Sequence, residues 1–325
     1  MPSCHYRPMP LVDVLPLLTD PTDATLTTQE VDDISADLQA LGGGTMFFAA
    51  ADYYIEGRDS ATLDLAHRLP DNSAVDHFHQ GGIRLRSHVS LQGEPGTRLL
   101  TTGSVNCMAI ASDGPFIWDS DHIIEAIIDD DVLAGATVYS VADSSDFTIG
   151  DQVIVRLREN PDDHPEVFWW AFAYVMDVGE GFITLDRPAQ VADEFSEADR
   201  DDSHIIRKVG SIVENVSIRG FEMLHDPEDF ILAMSPTIWL YYVRDVRVED
   251  IAATDPDSGI LVIQYGENVS AKNLHVRRSD QVNEIPYYGG GVGVAGAHGA
   301  SLDDVRIEKF MANPVVIEAT SMSRS

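Results

Sequence analysis

The chain has 325 residues, enough for a sizeable core, and its 54 acidic against 21 basic residues give a formal net charge of −33. Such a composition has no basic stripe that could neutralise phosphates, which argues against nucleic acid as a partner. No run of about 18 apolar residues is present, so we expect no insertion into a membrane. Two cysteines, Cys4 and Cys107, are too few for a disulfide framework, and neither lies in a metal-ligand spacing.

The N-terminal part divides into two ranges. Residues 1–27 form a proline-containing arm that either caps the fold or docks to a neighbouring protein. Residues 28–135 begin with a helical pattern from Thr28 to Leu41 and continue through two strand-rich stretches, Gly42 to Ile55 and Gly81 to Leu100. The first residues lack a charged region followed by an apolar stretch, so we expect no export signal.

Residues 136–208 carry four or five short strand patterns separated by turn signals, which predicts an inserted small antiparallel β-barrel. Trp169 and Trp170 are its most prominent aromatic residues. Such side chains either fill the barrel core or form an exposed platform on which a sugar ring stacks.

Residues 209–325 contain one nine-residue pattern four times, starting at 215, 245, 268 and 299, with spacings of 30, 23 and 31 residues. The second, fourth, seventh and ninth positions are apolar, which predicts two short strands joined by a bend. The bend falls at position six, held by residue types that tolerate a left-handed backbone or bond their own main chain: Gly220, Asp250, Asn273 and Asp304. Units of this length are typical of one coil of a solenoid.

A further strand precedes each unit and extends the same register. Ile238, Leu240, Leu261 and Ile263 are predicted to point inward, as are Val292 and Val294. The outward positions hold no ionisable side chain: Trp239, Tyr241, Val262, Gln264, Gly293 and Ala295. This face therefore lacks an agent for acid or base catalysis and suits a packed interface or an aromatic sugar subsite.

Two sets of candidate site residues follow. The carbohydrate-binding candidates are Trp239, Tyr241, Gln264, Trp169, Trp170 and Arg277; for Arg277, contact with an anionic sugar is the alternative to a favoured role as a clamp on the acidic column. The catalytic candidates follow the repeat units at similar offsets: Asp226, Asp229, Asp255, Asp257 and Asp280. Carboxyl groups about 5 to 9 Å apart perform glycoside hydrolysis. The same acidic column is alternatively a site for Ca²⁺ or another cation, or a solvated acidic face, and we assign no cofactor and no metal ligand.

The helix leading into Gly42-Gly-Gly-Thr, together with the stretch from Gly81 and the repeats after 209, resembles the pectate-lyase-like right-handed β-helices. The inserted segment resembles one carried by many tail-associated β-helix proteins. The excess of acidic residues, with only three lysines among the 21 basic residues, resembles proteins of haloarchaea. These resemblances imply an all-β protein, a right-handed parallel β-helix with a short N-terminal capping helix and an inserted small antiparallel β-barrel.

The resemblances and the missing export signal together favour a structural, receptor-binding tail component of a haloarchaeal virus, of the tailspike or tail-fibre type. Such a protein would recognise host surface glycan, form a homotrimer, contact other tail or baseplate proteins through its arm, and be assembled in the host cytoplasm into the virion. Two alternatives stay open. One is an extracellular polysaccharide lyase or glycoside hydrolase acting on acidic cell-surface polysaccharide, and the other is a non-catalytic haloarchaeal surface protein.

Overall fold

The computed structural model describes residues 9–56, 58–59, 82–102, 107–108, 110–112, 124–158, 168–189, 204–209, 212–225, 236–254, 259–277, 291–295, 297–308 and 315–318. Within them lie a 3₁₀ turn (Leu15–Leu17), one α-helix, α1 (Ala24–Ala40), and 22 β-strands. The strands before the repeats are β1 (Leu11–Asp13), β2 (Gly44–Phe48), β3 (Asp52–Glu56), β4 (Arg58–Asp59), β5 (Ile83–Leu85), β6 (Val89–Gly93), β7 (Arg98–Thr102), β8 (Cys107–Met108), β9 (Ile110–Ser112), β10 (Glu125–Ile127), β11 (Val138–Ser140), β12 (Gln152–Arg158), β13 (Phe168–Gly179), β14 (Phe182–Leu185) and β15 (Ile205–Lys208). The repeat strands are β16 (Val213–His225), β17 (Pro236–Thr254), β18 (Gly259–Glu267), β19 (Ser270–Arg277), β20 (Val292–Ala295), β21 (Ser301–Ile307) and β22 (Val315–Glu318).

Fourteen of these strands form one parallel sheet that winds as a right-handed β-helix, which confirms the predicted fold class. The predicted register is also confirmed, because Val216 pairs with Val246 and Phe221 with Ile251 across β16 and β17. The pairing continues through β19 and β21, where Ala271 lies beside Leu302. Each coil therefore stacks on the next about 4.8 Å away, and backbone hydrogen bonds between coils hold the register.

The corners of the coil are made by residues with a left-handed backbone. At position six, Gly220, Asp250, Asn273 and Asp304 all have φ between +49° and +80°. A second corner lies at position one, where Asn215, Asp245, Asn268 and Gly299 have φ between +53° and +64°. The first corner confirms the predicted bend, whereas the second was not predicted, although Asn, Asp and Gly occupy both.

The inward positions of stacked coils fill the interior. Ile238, Leu240, Leu261 and Ile263 are fully buried, and Val294 is 4% exposed. All were predicted to point inward, and together with the apolar repeat positions they make one continuous core. A single coil could not bury these side chains, so stacking supplies the hydrophobic stabilisation.

The N-terminal end of the β-helix is closed by β1 and α1. β1 adds a parallel strand beside β2, with Val12 opposite Met46. Helix α1 starts four residues before the predicted Thr28, because the Asp23 carboxylate caps it by accepting a 3.0 Å hydrogen bond from the backbone N–H of Leu26. Val31 and Leu38 point from the helix into the core.

The predicted insertion is a six-stranded antiparallel sheet in the order β10, β15, β12, β13, β14, β11. An antiparallel bridge between Ile128 and Val141 joins its two edges, so the sheet curls into a small, partly closed barrel. The barrel has its own core, which includes Tyr139, Val155 and Leu185. Its first strand, Glu125–Ile127, precedes the predicted start at residue 136 because that segment pairs with β15.

Candidate functional site

A groove of about 570 Å³ crosses successive coils at the position-one corner. We call it the polar groove, and its lining residues are Ser90, Asn215, Val216, Ser217, Asp245, Arg247, Asn268, Val269, Ser270 and Gly299. Hydroxyls, amides, one carboxylate and one guanidinium make up its polar surface. These are the groups that hydrogen-bond to the hydroxyls of a sugar.

The repeat itself builds the polar groove. Position three points outward, so Ser217, Arg247 and Ser270 lie side by side on consecutive coils. Neighbouring coils are linked along the groove, since the Ser217 backbone N–H donates to Ser90 Oγ at 3.0 Å. Asn268 Nδ2 likewise donates to Asp245 Oδ1 at 3.2 Å. The polar side chains are thus held at the spacing of the coils.

A row of charged side chains borders the groove on the other side of the same corner. Glu214, Arg244 and Glu267 occupy the position just before each repeat unit and are paired in register. Arg244 Nε donates to Glu267 Oε2 at 3.0 Å, and its Nη1 lies 3.9 Å from Glu214 Oε2. His88 Nε2 continues the row, 3.8 Å from Glu214 Oε1.

The barrel completes this row. Arg187 of the barrel forms an ion pair with Glu267, whose side chain is only 8% exposed. Arg244 Nη1 donates to the Tyr174 hydroxyl at 3.1 Å, and its guanidinium lies 5.7 Å from the ring centre of Phe172. Burial alone would lower the pKa of Arg244, but the contacts with Tyr174 and Glu267 outweigh it and raise the pKa above its ordinary value.

Aromatic residues dock the barrel against the β-helix. Tyr241 and Tyr242 of β17 pack with Ile154 and Phe172 of the barrel, with Tyr265 at the edge of the cluster. The rings of Tyr242 and Tyr265 are stacked 5.3 Å apart. Burial raises the pKa of Tyr241 well above its ordinary value.

This packing corrects the assignment of Tyr241 to an exposed sugar-binding face. The side chain does point out of its own coil, but it is only 4% exposed because the barrel covers it. No ring face is left on which a sugar could stack. Of the two roles predicted for this face, the packed interface is the one that Tyr241 takes.

Trp239 lies at the edge of the same cluster and is partly buried, with its ring 6.1 Å from that of Tyr241. Its indole Nε1 is buried and has no hydrogen-bond partner within the described part of the chain. Gln264 of β18 pairs with Tyr241 of β17 through the backbone.

The outward column also extends to an earlier coil, where Arg84 pairs with Ala111, and Ala111 pairs with Trp239. The predicted absence of ionisable side chains concerned the coils from Trp239 to Ala295, and this earlier coil adds Arg84 to the same column.

The remaining candidates lie apart from the polar groove or outside the described residues. Asp226, Asp229, Asp255, Asp257 and Asp280 all lie outside the residues that the structure describes. Trp169 and Trp170 belong to β13, but the described part of each is its backbone. Arg277 is exposed at the end of β19, where it pairs with Thr254, and is not among the lining residues of the groove.

Two further observations bear on the site. Among the described residues, no group of three or more His, Cys, Asp or Glu side chains is placed to hold a metal ion. No helix in the described ranges is long and apolar enough to cross a membrane.

One sequence signal would have located the charged row. The residue just before each of the four repeat units is ionisable: Glu214, Arg244, Glu267 and His298. The predictions concerned only the apolar and outward strand positions and did not include this column. The position-three column of Ser217, Arg247, Ser270 and Ser301 could have been found in the same way.

A second recess of about 520 Å³ lies at the position-six corner of the earlier coils. We call it the glycine notch because Gly93 and Gly220 meet at its floor. A side chain is absent at both positions, and Arg219, Gln92 and Glu222 line the walls. The Arg219 guanidinium donates to Gln92 Oε1 at 2.6 Å.

No protein-family model matches the chain, and no curated protein matches it in sequence. Among solved structures, the tailspike gp61 of Pseudomonas phage phi297 matches with a TM-score of 0.52 and 13% identity over 90% of this chain and 48% of the tailspike. The Gp54 tailspike of Acinetobacter baumannii bacteriophage AP22, solved with a capsular saccharide, matches with a TM-score of 0.47 and 10% identity, over 89% of this chain and 47% of that one. PfbA, a surface adhesin of Streptococcus pneumoniae, matches with a TM-score of 0.44 and 10% identity, over 93% of this chain and 50% of that one. The chain thus spans about half the length of these proteins, and the likeness to the phi297 tailspike establishes a shared β-helix fold.

Proposed function

We propose that this protein is a receptor-binding component of a virus tail, of the tailspike or tail-fibre type, that recognises host surface glycan through the polar groove. The observation that carries the proposal is the groove itself, where Ser217, Arg247 and Ser270 repeat at the coil spacing. An extended glycan presents hydroxyls at regular intervals, and regularly spaced donors and acceptors complement them. The fold shared with the phi297 tailspike supports the tail assignment.

The acidic composition supports a haloarchaeal virus as the source, because carboxylates on a surface with a net charge of −33 stay hydrated and screened in molar salt. In this proposal the protein is a homotrimer in the virion and contacts tail or baseplate proteins through residues 1–27.

The charged row argues against Glu214 and Glu267 as the catalytic acid of a glycosidase. Glycoside hydrolysis needs one carboxylic acid that donates a proton. Glu267 is engaged by both Arg187 and Arg244, and Glu214 lies beside Arg244. This arrangement is an ion-pair network that fixes the barrel to the β-helix.

The test is binding of surface glycans extracted from haloarchaeal cells, measured in molar KCl together with the release of new chain ends. Ser217→Trp and Ser270→Trp place an indole in the groove, and each should weaken binding at least about tenfold, or ~1.4 kcal/mol. Lys272→Trp is the matched control, because Lys272 is 62% exposed in the neighbouring outward column and is not among the groove residues.

Binding that survives both serine variants would overturn the assignment of the groove. New reducing or unsaturated ends would instead establish the lyase or hydrolase alternative. Unfolding midpoints equal to that of the wild type would show that the variants remain folded.

A further inference from the structure

The polar groove is electrically balanced in a protein that is otherwise strongly acidic. Of the described residues that line it, Asp245 and Arg247 are the charged pair, one of each sign. The bordering row adds two carboxylates, Glu214 and Glu267, and two guanidiniums, Arg187 and Arg244. With histidines counted as neutral, this surface carries no net charge, whereas the whole chain carries −33.

The arginines of the row are committed to protein partners. Arg244 is 13% exposed, with Glu267 and the Tyr174 hydroxyl bound to its guanidinium. Arg187 is held on the other oxygen of Glu267. Withdrawing either arginine to bind an external anion would remove one of the two partners of Glu267, whose side chain is only 8% exposed, which is costly.

An anionic polysaccharide repeats its charge along the chain and requires cations at matching intervals. The structure instead places Ser217 and Ser270 in register on either side of Arg247. Hydroxyl and amide groups of the protein both donate and accept hydrogen bonds. They therefore complement the hydroxyls of a sugar, which do the same, better than the carboxylates or sulfates of a sugar, which only accept. Arg247 can donate to the hydroxyl and ring oxygens of an uncharged sugar.

We propose that the polar groove selects an uncharged, hydroxyl-rich glycan and discriminates against uronic-acid or sulfated chains. This inference rests on the proposed glycan-binding function and narrows its ligand. Discrimination comes from Asp245 within the groove, because a ligand carboxylate or sulfate would meet it at a contact distance that molar salt screens only in part.

The test separates extracted surface glycans into neutral and acidic pools by anion exchange. Part of the acidic pool is then desulfated and carboxyl-reduced, which gives an uncharged form of the same backbone. Retention on immobilised protein is compared in 1 M and 3 M KCl. The neutral pool should be retained at both salt concentrations. The acidic pool should be retained at least about tenfold less than the neutral pool.

The variant Asp245→Asn keeps the shape of the side chain and removes its charge, and asparagine tolerates the left-handed backbone at this position, φ +53°. It should raise retention of the acidic pool severalfold. The control Asp303→Asn removes an exposed carboxylate outside the groove and should leave retention unchanged.

Retention of the acidic pool that equals or exceeds that of the neutral pool, and that is lost on desulfation and carboxyl reduction, would overturn the inference while leaving glycan binding intact. Failure of every pool to bind would overturn the proposed function itself.

Discussion

At the scale of single residues, Gly93 and Gly220 bring the backbones of two coils close together at the glycine notch. A Cβ atom on Gly220 would lie 2.5 Å from the Gly93 carbonyl oxygen, and one on Gly93 would lie 2.3 Å from that of Gly220. Gly220 also has φ +80°. Both facts require glycine, the first through lack of space and the second through backbone conformation.

The substitution Gly220→Ala should therefore destabilise the protein by about 2 to 5 kcal/mol, combining left-handed strain with overpacking against backbone. Gly135→Ala is the matched control, because Gly135 has φ +83° but nothing within 4 Å of the added Cβ. It should cost only the strain, about 1 to 2 kcal/mol. Denaturant unfolding measures both variants. An equal decrease in the free energy of unfolding for the two would show that the close approach of Gly93 and Gly220 does not contribute to stability.

Tyr53 allows a pH prediction. Its ring is fully buried, and its hydroxyl donates to the Ala49 carbonyl at 3.1 Å. Burial, with a smaller contribution from Asp13, raises the pKa of Tyr53 to about 12. Since the unfolded state releases the proton near pH 10 and the folded state keeps it, stability is retained below pH 10 and declines as the pH rises toward 12.

The variant Tyr53→Phe should be less stable than the wild type by about 1 kcal/mol near pH 8, because it loses the hydrogen bond to Ala49. The difference in stability should shrink between pH 10 and 12. In this range the wild type loses stability because its folded state keeps the Tyr53 proton that the unfolded state releases, and the variant has no such proton. Thermal unfolding across this range measures it. A constant difference would mean that Tyr53 titrates alike in both states.

Much of the residue-level pattern could be predicted from the sequence. The inward positions, such as Ile238 and Leu261, follow from the alternation of apolar side chains, and burial confirms them. Tyr241 was placed on the correct side of its strand but assigned an exposed surface. Alternation distinguishes inside from outside for one coil, and it carries no information about a distant segment that covers the outside.

At the scale of elements, the barrel and the β-helix are joined by aromatic packing and by the ion pairs around Glu267. Arg187 comes from the barrel and Arg244 from β17, so Glu267 bridges the two elements. Removing Glu267 leaves the Arg244 guanidinium, which is 13% exposed, without its nearest carboxylate, whereas Arg187 is 39% exposed and can be hydrated.

The variant Glu267→Gln should thus lower the free energy of unfolding by about 1 to 3 kcal/mol. Asp303→Asn is the control, because the pair of Asp303 with Lys272 is 3.7 Å apart and exposed, and its loss should cost within about 0.5 kcal/mol. Protease susceptibility of the barrel would report whether it detaches first. Similar losses for the two variants would contradict a bridging role for Glu267.

The existence of the inserted barrel was predictable because its strand patterns are separated by clear turn signals. Its first strand was missed, since Glu125–Ile127 is short and gains its partner, β15, from a segment about 80 residues later in the chain. The polar groove was likewise not predicted, because it is formed by outward residues of different coils whose proximity depends on stacking.

At the scale of the whole molecule, the net charge of −33 creates self-repulsion that depends on ionic strength. The Debye length falls from about 10 Å at 0.1 M salt to about 3 Å at 1 M, which screens neighbouring carboxylates from one another. The melting temperature should therefore rise steeply with KCl over this range. Sucrose at matched osmolality is the control, because it does not screen charge, and a melting temperature insensitive to KCl would refute this account.

The stacking of coils has a consequence for any ligand that lies along the β-helix. The distance between successive groove residues is fixed by backbone hydrogen bonds at about 4.8 Å, whereas the loops between repeat units differ in length. The spacing of the groove residues is therefore constant from coil to coil and independent of the loop lengths. A polymer whose repeat length matches this spacing gains contacts with every added unit. A polymer with a different repeat length loses alignment after a few units and gains no further contacts.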